Sequence, residues 1–252
     1  MEKAIAIIQA RMGSTRLPGK VLMPLGDRPV LRWVLDRMVR AKAFDAVVVA
    51  TSWNPGDDGL ADACRQWGFA CFRGSEDDVL GRFLAAAEAH DADLVVRVNA
   101  DNPLVDPHYA GALVADLRAG GAEYASYRRG DGTPVMLTAL SFFVEAVTRA
   151  CLRRADRVIT DRFEREHVTL GIYKRPETFR VRWLDVPPAC SDQRLRFTLD
   201  TPADLELLRD VFAALGPRAL DARAEDVVRL VQGRTEWLQV MERLNAENPK
   251  SK

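Results

Sequence analysis

The chain has 252 residues, and its 36 basic residues are balanced by 36 acidic ones, so its formal net charge is zero. The length is sufficient for one large domain with a buried core, and 48% hydrophobic residues exclude a disordered chain. A neutral chain lacks the basic excess that binds nucleic acid or a membrane surface, so we expect neither partner.

The amino terminus and the cysteines indicate the cellular compartment of the protein. The apolar run at residues 4–8 is too short for a signal peptide. The four cysteines form no CxxC pair and lack zinc-like spacing with the three histidines. We therefore predict reduced thiols and a cytoplasmic location.

Strand and helix patterns alternate through the first half of the chain. Apolar runs predict strands at residues 4–9, 46–51, 69–72 and 94–98. Helical spacing predicts helices at 30–39, 58–67, 75–90 and 107–118, the third of them opened by a Ser-x-x-Asp box at Ser75. Such alternation is typical of βαβ units around a mostly parallel sheet, so we predict an α/β fold.

The pattern becomes looser after Gly120. We predict helices at 141–153 and 157–166, and strands at 123–127, 135–140, 168–173, 179–184 and 195–199. Thr201, Pro202 and Asp204 predict a capped helix start, helices fill most of the remainder, and residues 248–252 are expected to fray.

The loop after the first strand carries the clearest chemical pattern, QARMGSTRLPGK at residues 9–20. It supplies flexible glycines, hydroxyl donors and cations, which together suit a polyphosphate: Arg11, Gly13, Ser14, Thr15, Arg16, Gly19 and Lys20. It is not a P-loop, because five residues separate the glycines and Val21 follows the lysine. A surface turn with incidental cations is the alternative.

Two aspartates follow predicted strands. Asp101 follows the strand at 94–98, at the end of the sheet where ligands of open α/β folds bind. It could hold Mg²⁺ together with phosphate oxygens. The alternative is that it caps the turn before Pro103. Asp200 precedes the helix at Thr201, and on the sequence alone a helix cap is favoured over a metal ligand.

Several motifs resemble the sugar-activating cytidylyltransferases, the group that contains CMP-Kdo and CMP-sialic acid synthetases. ARMGSTRLPGK is similar to their nucleotide-binding signature. The likeness is closest to the spore coat polysaccharide biosynthesis protein F family, through GSEDDVLGRF, VRVNADNPLVDP, EREHVT and RFTLDTPADLELL. The resemblance spans about residues 4–210. It implies a three-layer α/β nucleotidyltransferase fold, glycosyltransferase A-like, with a mostly parallel central sheet, and often a homodimer.

The resemblance also implies a reaction, in which CTP gives its CMP group to a sugar acid, sugar phosphate or related acidic acceptor and pyrophosphate is released. Mg²⁺ would be held by Asp101 and Asp200, and Arg11, Lys20 and Asp101 would be catalytic. The residues implied to line the nucleotide site are Ala10, Arg11, Gly13, Ser14, Arg16, Lys20, Arg73, Ser75 and Asn99. Arg82 is implied for the acceptor side. The expected setting is polysaccharide or glycoconjugate biosynthesis.

The acceptor site is expected in the loosely patterned part of the chain. Residues 149–196 contain 12 basic and 7 acidic side chains, an excess that suits an acidic ligand. Arg162, Arg165 and His167 could bind the acceptor, or could form a self-paired helical surface. We treat 1–252 as a single domain with an acceptor-binding or dimerisation excursion at about 121–192.

Two other functions stay open on the sequence. A glycosyltransferase that uses a nucleotide sugar is the first, but the Asp-x-Asp pattern at Asp91 lies before its strand, at the wrong end of the sheet. A catalytically silent nucleotide-binding protein is the second, because Ala100 stands where the family usually has glycine before the metal aspartate.

Overall fold

The computed structural model describes residues 2–249 and has an α/β architecture. Within that range there are nine strands: β1 Ala4–Gln9, β2 Pro24–Leu25, β3 Arg28–Pro29, β4 Ala46–Ser52, β5 Ala70–Gly74, β6 Leu94–Asn99, β7 Tyr124–Arg128, β8 Glu145–Thr148 and β9 Val181–Asp185.

The α-helices of the same range number ten: α1 Val30–Arg40, α2 Asp58–Gln66, α3 Val79–Ala89, α4 Pro107–Arg118, α5 Arg149–Val158, α6 Arg162–Glu166, α7 Leu170–Tyr173, α8 Pro202–Leu215, α9 Ala224–Gln232 and α10 Thr235–Glu247. None of the helices between residues 2 and 249 is long and apolar enough to cross a membrane.

The central sheet of residues 2–249 has seven strands in the order β5-β4-β1-β6-β8-β7-β9. All of them run in one direction except β8, which is antiparallel to β6 and β7. The predicted mostly parallel sheet is therefore confirmed. Residues 121–192 supply β7, β8 and β9 to this same sheet.

Helices cover both faces of the sheet. Alternate side chains of β1 point to opposite faces, as strand geometry requires. Ala4, Ala6 and Ile8 belong to a core with α1, α4 and the carboxy-terminal helices α8–α10, whereas Ile5 and Ile7 belong to a core with α3 and α5. Because both faces of β1 are buried, its residues form a continuous apolar run in the sequence instead of an alternating pattern. The result is the expected three-layer fold.

The chain order of the strands creates a crevice beside β1. After β1 the chain builds β4 and β5 on one side and then returns to place β6 on the other. Ligands of open α/β sheets bind outside the carboxyl ends of the strands at such a switch point. A hydrogen bond of 3.0 Å from Ala100 N to Gln9 O holds the two strand ends together there.

The helix starts show one prediction confirmed and one displaced. Thr201 caps α8 in a reciprocal capping box with Asp204, as predicted. The helix predicted from Ser75 begins at Val79 instead, because the Asp78 side chain accepts the hydrogen bond from Gly81 N and is the N-cap. The Ser75 hydroxyl accepts a bond from Asp78 N and shapes the turn before the helix.

Other predictions fail in the region after Gly120. Residues 135–140 form a 3-10 turn at Val135–Leu137 instead of a strand, and residues 168–173 contain α7 instead of a strand. The helix predicted at 141–153 is divided into β8 and the start of α5, and the one at 157–166 is broken between α5 and α6. Short apolar runs look alike in strands, turns and helices, so tertiary pairing decides them.

The strand predicted at 195–199 is also wrong. This segment is buried and has no strand pairing within the described chain. It is held by single hydrogen bonds, from Phe197 N to Ala139 O at 2.8 Å and from Leu199 N to Asp101 O at 3.0 Å. The second bond brings the neighbourhood of Asp200 to the carboxyl end of β6. Of the tail predicted to fray, residues 250–252 lie outside the described residues.

Candidate active site

The loop after β1, residues 10–20, is fixed by a buried carboxylate. Asp57, which is 3% exposed, accepts hydrogen bonds from Met12 N at 2.7 Å and from the Ser52 hydroxyl at the end of β4. Burial alone would raise the pKa of Asp57, but these hydrogen bonds hold it below its ordinary value. The loop therefore has a charged anchor at neutral pH.

The second half of this loop is folded around a glycine. Gly19 has φ of 72°, a left-handed conformation that disfavours other residues, and its N–H donates to Met12 O at 3.0 Å. Leu17 and Val21 are buried on either side of it. Gly13 is different, because a Cβ there would meet open space. The anchored apolar residues leave the polar side chains of the loop facing the crevice.

A first cavity of about 250 Å³ lies between the loop and the end of β6. Seven of the residues predicted for the nucleotide or the metal line it: Ala10, Arg11, Ser14, Arg16, Lys20, Asn99 and Asp101. Ala100 lines it as well and is 2% exposed. The folded chain therefore brings together the two segments that sequence reasoning connected only by their places in the sheet.

Lys20 joins the loop to both predicted metal ligands. Its Nζ lies 2.6 Å from Asp101 Oδ2, 2.6 Å from Leu199 O and 3.4 Å from Asp200 Oδ1. Burial alone would lower the pKa of this ammonium, but the two carboxylates raise it above its ordinary value. Lys20 is therefore a cation at neutral pH.

Asp200 lies among cations and is not the helix cap. Its carboxylate is 3.2 Å from Arg16, 3.4 Å from Lys20 and 3.5 Å from the buried Arg196. Thr201 takes the N-cap position, and the Asp200 side chain, which is only 5% exposed, does not itself line the cavity. Asp101 likewise contacts Lys20 through its side chain. The capping alternative for Asp200 is thus not realised.

The donor set of this site fits a hard divalent cation. Asp101 and Asp200 offer oxygen ligands, which Mg²⁺ prefers, and both lie within 3.4 Å of one point, the Lys20 nitrogen. Between residues 2 and 249, no group of three or more His, Cys, Asp or Glu side chains forms a metal cage. Further ligands would therefore come from water and substrate phosphate, as is usual for Mg²⁺.

A second cavity of about 270 Å³ adjoins the first and shares Arg16 and Asn99 with it. The predicted His167 lines it. Its other walls are largely apolar or aromatic, and include Met136, Leu137, Phe163, Leu170 and Tyr173. Burial, and the positive charge of Arg97, lower the pKa of His167 below its ordinary value, so the imidazole is neutral at pH 7.

Comparison with known proteins identifies the family of the chain. The cytidylyltransferase family model matches residues 5–233. The chain belongs to the cytidylyltransferase family. It is consequently a nucleotidyltransferase that uses CTP.

Relatives with broad coverage support this membership. The chain is 36% identical to the spore coat polysaccharide biosynthesis protein SpsF of Bacillus subtilis over 92% of this chain and 95% of that protein. It is 31% identical to the 3-deoxy-manno-octulosonate cytidylyltransferase of an Anaeromyxobacter species over 86% of this chain and all of that protein. A cytidylyltransferase structure from Leptospira borgpetersenii superposes with a TM-score of 0.84 and 29% identity, covering 95% of this chain and 98% of that one.

The Asp-x-Asp pattern has a structural role in this cytidylyltransferase. Asp91 and Asp93 pair with Arg149 at 2.9 and 3.2 Å, and Asp93 also accepts a hydrogen bond from Lys3 N. All of these residues lie at the amino end of β6, across the sheet from the crevice. Within residues 2–249, the Asp-x-Asp pattern therefore does not lie at the crevice, where a glycosyltransferase would need it to bind a nucleotide sugar.

Several residues predicted to bind nucleotide or acceptor lie outside both cavities of the cytidylyltransferase, namely Gly13, Arg73, Ser75, Arg82, Arg162 and Arg165. Arg73 donates to Ser52 O and Asn54 O and pairs with Asp58 at 2.7 Å. Ser75 caps the turn before α3. Arg82 is buried under Gly74 and donates to the Ser75 carbonyl. The structure thus gives Arg73, Ser75 and Arg82 protein partners near the ends of β4 and β5.

The basic stretch 149–196 is mostly neutralised within the protein. Arg165 donates two hydrogen bonds to the Asp78 carboxylate and one to the Asp156 carboxylate, and Arg162, with its side chain 80% exposed, pairs with Asp77. Other arginines of the stretch pair with carboxylates elsewhere, among them Arg149, Arg153, Arg154, Arg175, Arg182 and Arg194. The structure does not bring Arg162 or Arg165 into either cavity.

Sequence reasoning missed Arg97. This residue of β6 lines the second cavity and pairs with Glu145 of β8. The signal was present, because an arginine interrupts an otherwise apolar strand and is two residues before Asn99 on the same face. The role of Arg97 depends on its ion pair with Glu145 of β8, a strand that the sequence did not predict.

Proposed function

We propose that this cytidylyltransferase transfers CMP from CTP to a small acidic, sugar-like acceptor with release of pyrophosphate, in polysaccharide or glycoconjugate biosynthesis. The observation that carries the proposal is the pair of adjoining cavities. One is lined by the cationic loop and Asp101, the other combines polar side chains such as Arg97 and His167 with an apolar wall, and they share Arg16 and Asn99. The relatives named above support a sugar-derived acceptor.

In the proposed reaction, an acceptor oxygen attacks the α-phosphorus of CTP. The bond from that phosphorus to the bridging oxygen breaks, and pyrophosphate leaves with the electron pair. Arg11, Arg16 and Lys20 lie on the loop where they can balance the negative charge that develops on these phosphates. Asp57 anchors the backbone of the loop that carries these donors.

Asp101 and Asp200 are the proposed ligands of Mg²⁺. A bound Mg²⁺ would supply Lewis-acid stabilisation of phosphate charge. When the carboxylates bind the metal, Lys20 is released from its contacts with both of them and can contact phosphate. An acceptor that attacks through a carboxylate or phosphate oxygen carries no proton to remove, so this reaction needs no general base.

The experiment is a pyrophosphate-release screen with CTP and the other nucleoside triphosphates, with Mg²⁺, against sugar acids and sugar phosphates. We expect turnover with CTP and an acidic acceptor, and a rise in melting temperature when CTP and Mg²⁺ are added. Turnover with nucleotide sugars alone, or no CTP response of either kind, would contradict the proposal. The predicted homodimer is tested separately by light scattering.

A further inference from the structure

We propose that Arg196 is a positioning residue that orients Asp200 as a ligand of the divalent cation. By holding one carboxylate oxygen of Asp200 from inside the protein, Arg196 leaves a single oxygen for the metal, and the site then favours Mg²⁺ over Ca²⁺. The inference rests on the proposed function, which makes Asp200 a metal ligand. It is carried by the division of the Asp200 oxygens between cations and by the way Arg196 itself is anchored.

The two carboxylate oxygens of Asp200 face different cations. Oδ1 lies 3.2 Å from Arg16 and 3.4 Å from Lys20, the two loop cations that line the first cavity. Oδ2 lies 3.5 Å from Arg196, whose side chain is fully buried. A metal ion can replace the loop cations, because they reach the cavity. Arg196 has no exposed side-chain surface with which to touch a substrate, so it acts through Asp200.

Arg196 is held in place by groups other than Asp200. Its Nε lies 2.6 Å from Asp204 Oδ1, and a second nitrogen lies 3.1 Å from Asp204 Oδ2, which makes a bidentate pair. Its third nitrogen donates to the end of α10, to Asn245 Oδ1 at 3.4 Å and Asn248 O at 3.3 Å. Because breaking a buried ion pair is costly, Arg196 keeps its position when the loop cations move.

The partner of Arg196 also fixes the backbone of Asp200. Asp204 Oδ2 accepts hydrogen bonds from Asp200 N at 3.0 Å and from Thr201 N at 2.8 Å. One buried pair, Arg196 and Asp204, therefore sets both the backbone and one side-chain oxygen of Asp200. Carboxylate ligands depend on such outer partners for their orientation, and loss of one typically weakens metal binding about 10- to 100-fold.

A carboxylate with one oxygen held by an arginine suits Mg²⁺ better than Ca²⁺. Mg²⁺ demands near-ideal octahedral geometry and is usually bound by one or two carboxylates, water and substrate phosphate. Ca²⁺ takes about six to eight oxygens at longer distances, and a carboxylate can give it both of its oxygens. Since Arg196 retains Oδ2 of Asp200, binding through both oxygens would break the contact between these two residues.

The test measures metal binding by the full chain without nucleotide, because the phosphates of CTP also bind divalent cations. Free Mn²⁺ is followed by electron paramagnetic resonance, and Mg²⁺ or Ca²⁺ is added to displace the bound Mn²⁺. In wild type, Mg²⁺ should displace Mn²⁺ at a concentration at least about threefold lower than Ca²⁺. Arg196→Lys keeps the charge and loses the planar fork, so its Mn²⁺ affinity reports the orientation of Asp200 rather than the local charge.

Arg196→Lys should weaken Mn²⁺ binding about tenfold. It should also reduce the preference for Mg²⁺ over Ca²⁺ at least about threefold, because Asp200 can then turn both oxygens towards the metal. The matched control is Arg149→Lys, since Arg149 likewise pairs with two carboxylates, Asp91 and Asp93, but at the amino end of β6. The control should keep the wild-type metal affinities within about twofold, because distant sites act independently.

A merely structural role for Arg196 would lower the melting temperature of Arg196→Lys and leave its Mn²⁺ affinity and metal preference unchanged, and this result overturns the inference. If Arg196→Lys does not fold, wild type decides. Displacement of Mn²⁺ by Mg²⁺ before Ca²⁺ supports the inference, whereas equal displacement, displacement by Ca²⁺ first, or no Mn²⁺ binding overturns it. The proposed function stands in each case if wild type turns over CTP. Absence of any CTP response in wild type is the distinct result that removes the proposed function.

Discussion

The two cavities of the molecule are built in different ways. The first is formed by two short segments that directly follow adjacent parallel strands, and its carboxylates and cations contact one another through Lys20. The second is formed by residues from β6, α6, α7 and a 3-10 turn, brought together by the antiparallel strand β8. The first cavity therefore follows from the ends of regular parallel strands, whereas the second, which we propose for the acceptor, depends on the pairing of β8 with β6.

Of the changes that test this comparison between the two cavities, replacement of Asp101 should have the largest effect on the reaction rate. Asp101→Asn should lower the rate of CTP-dependent pyrophosphate release about 10³-fold, because it removes a carboxylate proposed to hold Mg²⁺ beside the reacting phosphates. Rates with excess Mg²⁺ and CTP measure the effect. Asp91→Asn is the matched control, since its carboxylate is 87% exposed and pairs with Arg149 across the sheet. Equal rates for the two variants would remove Asp101 from the catalytic site.

The first cavity could be predicted from the sequence to a large extent. Residues 9–20 and Asp101 follow apolar runs that are long and regular enough to be recognised as parallel strands, whose carboxyl ends meet. Asp200 is harder to predict, because on the sequence alone a carboxylate before Thr201 and Pro202 favours a helix cap. The folded chain shows that Thr201 and Asp204 form the capping box instead.

The second cavity could not be predicted in the same way. Arg97 and Glu145 are 48 residues apart and meet only because β8 inserts between β6 and β7. The segment that becomes β8 was predicted as helix, and α7 was predicted as strand. The local excess of basic residues predicts Arg162 and Arg165 as ligands of an acidic acceptor. In the folded chain, ion pairs with carboxylates neutralise both side chains. Local charge counts do not tell which cations stay paired after folding.

A smaller effect should appear when Lys20 is neutralised. Lys20→Met should reduce pyrophosphate release about 10²-fold, because a cation next to the phosphates is lost. The same change should raise the affinity for Mn²⁺ without nucleotide about tenfold, because the ammonium that offsets Asp101 and Asp200 is gone. Electron paramagnetic resonance of free Mn²⁺ measures this second effect, and Lys42→Met, at an exposed position after α1, is the control. Unchanged Mn²⁺ affinity would show that Lys20 does not compete for the carboxylates.

The smallest effect concerns the anchor of the nucleotide loop. Asp57→Asn should lower the free energy of unfolding at pH 7 by about 1–3 kcal/mol, because the charged acceptor of Met12 N and the Ser52 hydroxyl is lost. The pKa of Asp57 in the folded chain is below its ordinary value of 3.8, so its contribution is complete above that pH and is lost as the pH falls through the folded-state pKa.

The difference in unfolding free energy between wild type and Asp57→Asn should therefore narrow below about pH 4, measured by urea denaturation at pH 7 and pH 3. Asp62→Asn, on an exposed part of α2, should change little at either pH. If the Asp57 variant is as stable as wild type at pH 7, the loop does not depend on this carboxylate for its conformation. The first cavity would then not depend on this pairing, which joins residues 45 positions apart in the chain.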